Sequence, residues 1–350
     1  MLPLLADCLP LRLPASHPPV LLVVIDTEEE FDWNAPFDRK NTAVEAMSQA
    51  WRGQEVFDEF GIRPTWAVDY PVAMCERAIE ALLEWVETGR GVVGAHLHPW
   101  VSPPFEEEVN SRNSYPGNLK PEIEAEKLRV LTALLGERLG RRPTIYKAGR
   151  YGFGPNTAQL LASEGYRVDL SPCAGFDFSA DGGPDWSAFP PGPYRFGPGR
   201  ELLGLPTTGG FSGLLAGAGA RLHATLQQSP CAQLRLPGLF SRLGLFERSL
   251  LSPEGFEVED LKRLTRSLLR RGNQVFSFSF HSPSLQPGCT PYVRNEADLK
   301  KFLGTCSEYF QFFFGELAGA TMSPLELREM LQPTVPAPAP QTTPPPSTTP

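Results

Sequence analysis

Histidine, cysteine and basic charge are all sparse in this 350-residue chain, and each shortage excludes something. Six cysteines (Cys8, Cys75, Cys173, Cys231, Cys289 and Cys306) are scattered without a CxxC pair. A disulfide framework is not expected in a chain this long, and reduced thiols in the cytoplasm are the plainer reading. Lysine and arginine total 32 against 40 aspartate and glutamate, for a net charge of −8. A nucleic-acid partner needs a basic face and is not expected. No stretch approaches the ~20 apolar residues of a membrane span. The start, MLPLLADCLPLRLPASHPP, lacks a basic beginning and is broken by prolines, so it matches a signal peptide poorly. The expectation is a cytoplasmic protein. Neither a phosphate loop, a nucleotide fingerprint nor a nucleophile-elbow serine occurs.

Apolar runs that stop abruptly in polar clusters are what the chain has instead. Hydrophobic residues make up 41%, enough for a large core. Strand-like and helix-like segments alternate from about Val20 to Met322. The strands are expected at 20–25, 65–68, 92–97, 144–148, 166–170, 201–205 and 274–280, with a short last one near Thr321. Helical spacing covers 42–60, 73–86, 121–139, 155–164, 258–271, 296–314 and 324–331. About seven β–α units in one sheet, with right-handed crossovers, roll into a barrel. The predicted organisation is an extension (1–19), a (β/α) barrel (20–331) and a disordered Pro/Thr-rich tail (332–350). Residues 172–251 read as a Pro/Gly-rich irregular insertion within the barrel, with short helices over 211–251.

Polar clusters sit where reactive groups collect in such sheets, at the carboxyl ends of strands. Val20–Ile25 ends in Asp26, Thr27 and Glu28. GVVGAHLHPW places His96 and His98 two apart, so both point to one face of a strand. With Glu28 they form a candidate metal site of two imidazoles and a carboxylate. The plainer alternative is two histidines lining a polar loop, but the chain holds only five. His281 follows the strand VFSFSF and is a candidate general acid or a capped loop histidine. Asp169 either orients that histidine or begins a turn with Ser171 and Pro172. Lys147 and Arg150 either keep a carboxylate base ionised or lie on a solvated basic loop. In the run Glu28–Glu30 only Glu28 is singled out, since such runs are mostly solvated. Trp33, Trp100 and Tyr151 are candidate sugar platforms, although single aromatics are more often core.

The order of these clusters resembles the polysaccharide deacetylases, the NodB-homology carbohydrate esterases. The family's five motifs look like Ile25-Asp26-Thr27-Glu28, His96-Leu97-His98, Lys147-Ala148-Gly149-Arg150, Asp169-Leu170-Ser171 and Phe280-His281. Their wording looks closest to the WalW-like branch, linked to bacterial surface-polysaccharide biosynthesis. Three departures stand out. The two acids of the first motif are separated, one residue rather than three lies between the histidines, and lysine stands where arginine is usual. The resemblance implies a distorted (β/α)7 barrel and hydrolysis of an N-acetyl group on a glycan or lipid-linked sugar. It further implies a divalent cation, zinc by preference, on Glu28, His96 and His98. Asp26 would be the base, His281 the acid oriented by Asp169, and Lys147 or Arg150 the cation holding Asp26 ionised. Trp100 and Tyr151 would contact substrate. Three rivals stay open: a metal amidohydrolase acting on a small amide, a catalytically inactive glycan-binding barrel, and a metal-free glycosidase.

Overall fold

The computed structural model describes residues 7–219, 222–223, 225, 243 and 245–331. The expected disordered tail at 332–350, the first six residues of the extension and most of 220–244 lie outside that set. Twelve strands are described: β1 (Leu9–Pro10), β2 (Val20–Thr27), β3 (Thr65–Val68), β4 (Val92–Leu97), β5 (Ile145–Ala148), β6 (Val168–Asp169), β7 (Tyr194–Phe196), β8 (Leu202–Gly204), β9 (Gly209–Ser212), β10 (Glu247–Leu250), β11 (Val275–His281) and β12 (Ala320–Thr321). Eight of them run parallel, seven in the order β8-β6-β5-β4-β3-β2-β11 and β12 against β2 off that path. The antiparallel β7 extends the β8 edge, and β1 of the N-terminal extension pairs with β7.

The gap between β8 and β11 is bridged by Thr208. Its N–H donates to Ser277 O (3.3 Å) and its Oγ1 accepts from Ser277 N–H (2.8 Å). Leu251 N–H then donates to Thr208 O and Ser279 N–H to Leu251 O. The sheet thereby curls into a distorted (β/α) barrel of the NodB type, as the motif order implies.

Every residue of β2 is buried, because both faces of a parallel sheet are covered. Alternate residues separate into two cores. Leu21, Val23 and Ile25 pack outward with Trp66, Phe276 and Phe278, under the helices. Val20, Leu22 and Val24 point inward and meet Val92, Ile145, Val168, Leu203 and Val275. The inward set fills the barrel floor and leaves its carboxyl mouth to polar side chains.

The covering helices are α1 (Trp51–Glu59), α2 (Tyr70–Met74), α3 (Glu76–Glu87), α4 (Pro121–Leu139), α5 (Thr157–Ser163), α6 (Val258–Arg270), α7 (Glu296–Gln311) and α8 (Pro324–Met330). Helix α4 opens on Pro121 and stops at Gly140, whose φ of +67° suits glycine. Two expectations change in detail. The helix expected over 73–86 begins earlier and is divided at the extended residue Cys75, because Asp69 caps α2 by accepting from Val72 N–H (2.8 Å). The stretch 172–251 holds the strand expected at 201–205 as β8, and beside it β7, β9 and β10, the last two forming an antiparallel pair where short helices are expected. Strands of three or four residues such as Tyr194–Phe196, Gly209–Ser212 and Glu247–Leu250 carry too little periodicity to be seen. Among the described residues the five cysteines are free thiols, and no helix is long and apolar enough to cross a membrane.

Candidate active site

The inward rows of the barrel continue beyond its apolar floor. Val20, Leu22 and Val24 lead to Asp26 and Glu28; Val92 leads to His96 and His98; Ile145 leads to Lys147; Val275 leads to His281. The ladders place His281 beside Asp26 and His96 beside Lys147. Period-two geometry alone therefore brings these side chains to one mouth. All but His281 are almost fully buried.

Glu28, His96 and His98 converge on a point. Glu28 Oε2 lies 3.4 Å from Nε2 of each imidazole. His96 Nδ1–H donates to Lys147 O (3.0 Å), and His98 Nδ1 is hydrogen-bonded to Glu29 Oε2 (2.8 Å). With Nδ1 carrying the proton, Nε2 of each neutral ring presents a lone pair toward the carboxylate. Burial lowers both histidines, His98 to about 4, so they are neutral at physiological pH. Burial also raises Glu28, against the pull of His281 and His96. Three buried acceptors with no proton between them fit a cation. Ligand atoms about 2.1 Å from one tetrahedral zinc ion lie about 3.4 Å apart, which matches the spacing here. The outer partners Lys147 O and Glu29 fix the ring orientations, as at metal sites generally. Gly149 is required by this packing: a Cβ there would lie 2.5 Å from His98 Cδ2 and 2.6 Å from Leu97 O.

Glu29 is buried despite standing in an acidic run, because it has work inside. It faces His98, and its N–H donates to Asp69 Oδ2 (2.8 Å). Burial raises Glu29 to about 8, and raises Asp69 well above its usual range.

Lys147 Nζ donates to both Asp26 oxygens, at 2.5 and 2.8 Å, in a pair with almost no solvent contact. Burial pushes Asp26 up, but Lys147, His96 and His281 outweigh it and hold the carboxyl down at about 2. Replacing Lys147 with methionine is expected to lower folding stability by about 3–5 kcal/mol, the usual cost of stranding one partner of a buried pair. In K147M the Asp26 pKa rises, so stability is regained as pH falls and the acid protonates. The double variant D26N/K147M is expected to recover most of the loss. Urea unfolding from pH 4 to 8 checks this; a K147M protein as stable as wild type at pH 8 removes the account.

His281 Nε2 lies 3.7 Å from Asp26 Oδ2. Its Nδ1–H donates to Glu254 Oε2 (2.7 Å), its N–H donates to Glu254 Oε1 (3.1 Å), and Ser284 Oγ donates to Glu254 as well (2.5 Å). Burial lowers the imidazole, but Glu254 and Glu28 more than reverse this and lift it to about 10. The carboxylate that orients His281 is thus Glu254 and not Asp169. Asp169 pairs in the ladder with Tyr146, on the outward parity, while Val168 and Leu170 point inward. It accepts from the Ser171 N–H (3.1 Å) and hydroxyl instead, and burial raises it to about 7.

Two further assignments move. Arg150 does not reach Asp26. It donates to Ser114 Oγ (2.5 Å), pairs with Asp181 and lies 4.1 Å over the Tyr115 ring. Trp100 is 1% exposed and stacks at 4.3 Å on the His98 ring, and it does not line the cavity. Tyr151 does line the cavity, and so does Trp33, 4.8 Å from the His281 ring. Phe31, Phe37, Tyr115 and Phe178 complete the walls. Sequence reasoning missed Glu254, Glu29, Asp69 and these four aromatics. Asp69 carried the same signal as Asp26, an acid directly after a strand; Glu254, in the loop SPEGF, carried none.

No family model matches the chain, and no curated protein matches it. Solved structures do share its fold. One, provisionally named a polysaccharide deacetylase and from Mycobacterium smegmatis, is 15% identical over 92% of this chain and 93% of its own, with a TM-score of 0.52. Another, the allantoinase Puue, is 15% identical over 91% of each chain, with a TM-score of 0.51.

Proposed function

We propose that the protein is a metal-dependent hydrolase that removes an N-acetyl group from a sugar unit of a glycan or lipid-linked precursor, in the setting of surface-polysaccharide synthesis. The observation that carries this reading is the convergence of the Glu28, His96 and His98 lone pairs beside an Asp26–His281 acid–base pair. A divalent cation on those three ligands, zinc by its donor set, supplies Lewis-acid polarisation of the acetyl carbonyl and a water of lowered pKa. The chain's own residues do the rest. Asp26, kept ionised by Lys147, accepts the proton of the attacking water. A backbone N–H at the Arg150–Tyr151 turn, where φ is +54° and +60°, serves as the donor to the oxyanion in this reading. His281, held through Nδ1 by Glu254, delivers its Nε2 proton to the departing amine. His281 Nε2 and Asp26 Oδ2 stand 3.7 Å apart, and closing that gap to hydrogen-bond distance lets the proton taken from water return to the imidazole. The aromatic walls keep other water away.

Acetate release from a panel of N-acetylated glycans, before and after chelation and with zinc restored, tests the reading. Acetate that disappears with chelator and returns with metal supports it. Metal-loaded protein that binds glycans and releases nothing points instead to a non-catalytic barrel. A second reading, hydrolysis of a small amide, is favoured by one observation: the cavity over the site is only about 280 Å³. Acyclic amides in the same assay, with ammonia as the readout, separate the two.

A further inference from the structure

Around the mouth of the barrel, loops from different strands are tied to one another. The loop after β2 sends Trp33 to one side, where its ring meets His281 at 4.8 Å and Tyr292, beyond β11, at 5.5 Å. It sends Phe37 to the other side, against Trp100 at 4.5 Å and under the Arg150 guanidinium at 5.0 Å. Arg150 is the central tie. It also covers Tyr115, donates to Ser114 Oγ and pairs with Asp181, so one side chain joins the loops after β2, β4, β5 and β6. The same two outer loops are stitched again where Tyr115 Oη donates to Asp181 (3.0 Å) and Asn118 Nδ2 to Gly182 O (2.7 Å). Within this rim lies a cavity of about 280 Å³ with six aromatic walls and the metal-ligand cluster at its base. That is below the ~300–1,000 Å³ typical of drug-sized ligand sites.

We infer that the site takes one N-acetylated sugar unit end-on, as a monosaccharide or a chain terminus, and does not admit the interior of a polymer. A polymer must enter and leave across a site. The loop after β2 is joined to its neighbours on both flanks and blocks that passage. The aromatic faces stack on the apolar faces of one ring, its acetamido arm directed down to Glu28, His96 and His98. The inference rests on the deacetylase reading of the same site and adds the form of the substrate to it. Arg150 is then the residue that sets chain-length preference, by holding the rim closed.

Calorimetric titration of the zinc-saturated full chain with N-acetylglucosamine and with its linear tetramer tests the inference without relying on turnover. Affinities within about threefold per chain are expected, since units beyond the first add little. In turnover the tetramer should lose a single terminal acetyl group by mass spectrometry. R150A should raise tetramer affinity relative to the monosaccharide by threefold or more. Tetramer binding tenfold tighter than the monosaccharide in the wild type, removal of internal acetyl groups, an unchanged preference in R150A, or no binding of either sugar at millimolar concentration overturns it. Binding of both with no acetate released removes the catalytic reading and leaves the end-on site standing.

Discussion

His96→Ala is expected to lose stoichiometric divalent metal, with affinity falling more than a hundredfold and acetate release falling to background. His96 lends Nε2 to the cluster while Lys147 O holds Nδ1, so the ring is fixed before any cation arrives. Its removal leaves one imidazole and one carboxylate, too few ligands for a four-coordinate cation with an open position. Loss of a mere outer partner costs about 10–100-fold in affinity, which sets the floor for losing a ligand. Glu29→Gln, which alters only the partner of His98 Nδ1, should fall in that lower range. Competition against a chromogenic chelator reads both. Melting adds a check, because a metal present at ~1,000 times its Kd stabilises the folded state by about 4 kcal/mol. Zinc should raise the Tm of the wild type and leave that of His96→Ala unchanged. A His96→Ala protein that still binds one equivalent tightly rules out the ligand set.

The parallel strands were legible because a strand covered on both faces is written as an uninterrupted apolar run, as in Val20–Ile25. Once those runs were placed, their carboxyl ends named Asp26, Glu28, His96, His98, Lys147 and His281, which the structure brings together. The errors share one physical origin. A strand end identifies a residue but not which way it points. Asp169 stands at the end of a strand as Asp26 does, yet it sits one position out of phase and pairs in the ladder with Tyr146. Trp100 falls two residues beyond His98 and stacks on its ring rather than lining the cavity. Glu29 stands in a charged run that reads as solvated, although burial and a histidine partner give it a place inside the protein. Glu254 lies in a loop reached through β9 and β10, and nothing local marks it; only the closure of the barrel through Thr208 and Leu251 brings that loop to His281.

Glu254→Gln is expected to lower kcat by about 10²–10³ while leaving metal affinity within a few fold, since Glu254 touches none of the three proposed ligands. The carboxylate accepts from His281 Nδ1 and N–H and thereby keeps the Nε2–H aimed toward Asp26. An amide there keeps the shape but can turn its NH2 toward Nδ1, which stabilises the neutral ring and weakens the acid. The sign of the pH effect follows from the charges. Burial alone would push His281 down, and Glu254 is the foremost group holding it up near 10. Without that charge the imidazolium is lost at lower pH, so the alkaline limb of kcat moves toward neutrality. Folding shows the same linkage. A histidine raised above its ordinary ~6.5 contributes stability that is complete below that value and fades as pH climbs toward 10. In Glu254→Gln that contribution should shrink and fade earlier. His281→Ala removes the acid altogether and should cost about 10²–10⁴ in rate, with no alkaline limb from this group. Steady-state rates from pH 5 to 10 on the three proteins decide the matter. An alkaline limb in Glu254→Gln that coincides with the wild type would separate Glu254 from proton delivery and reduce it to a packing residue.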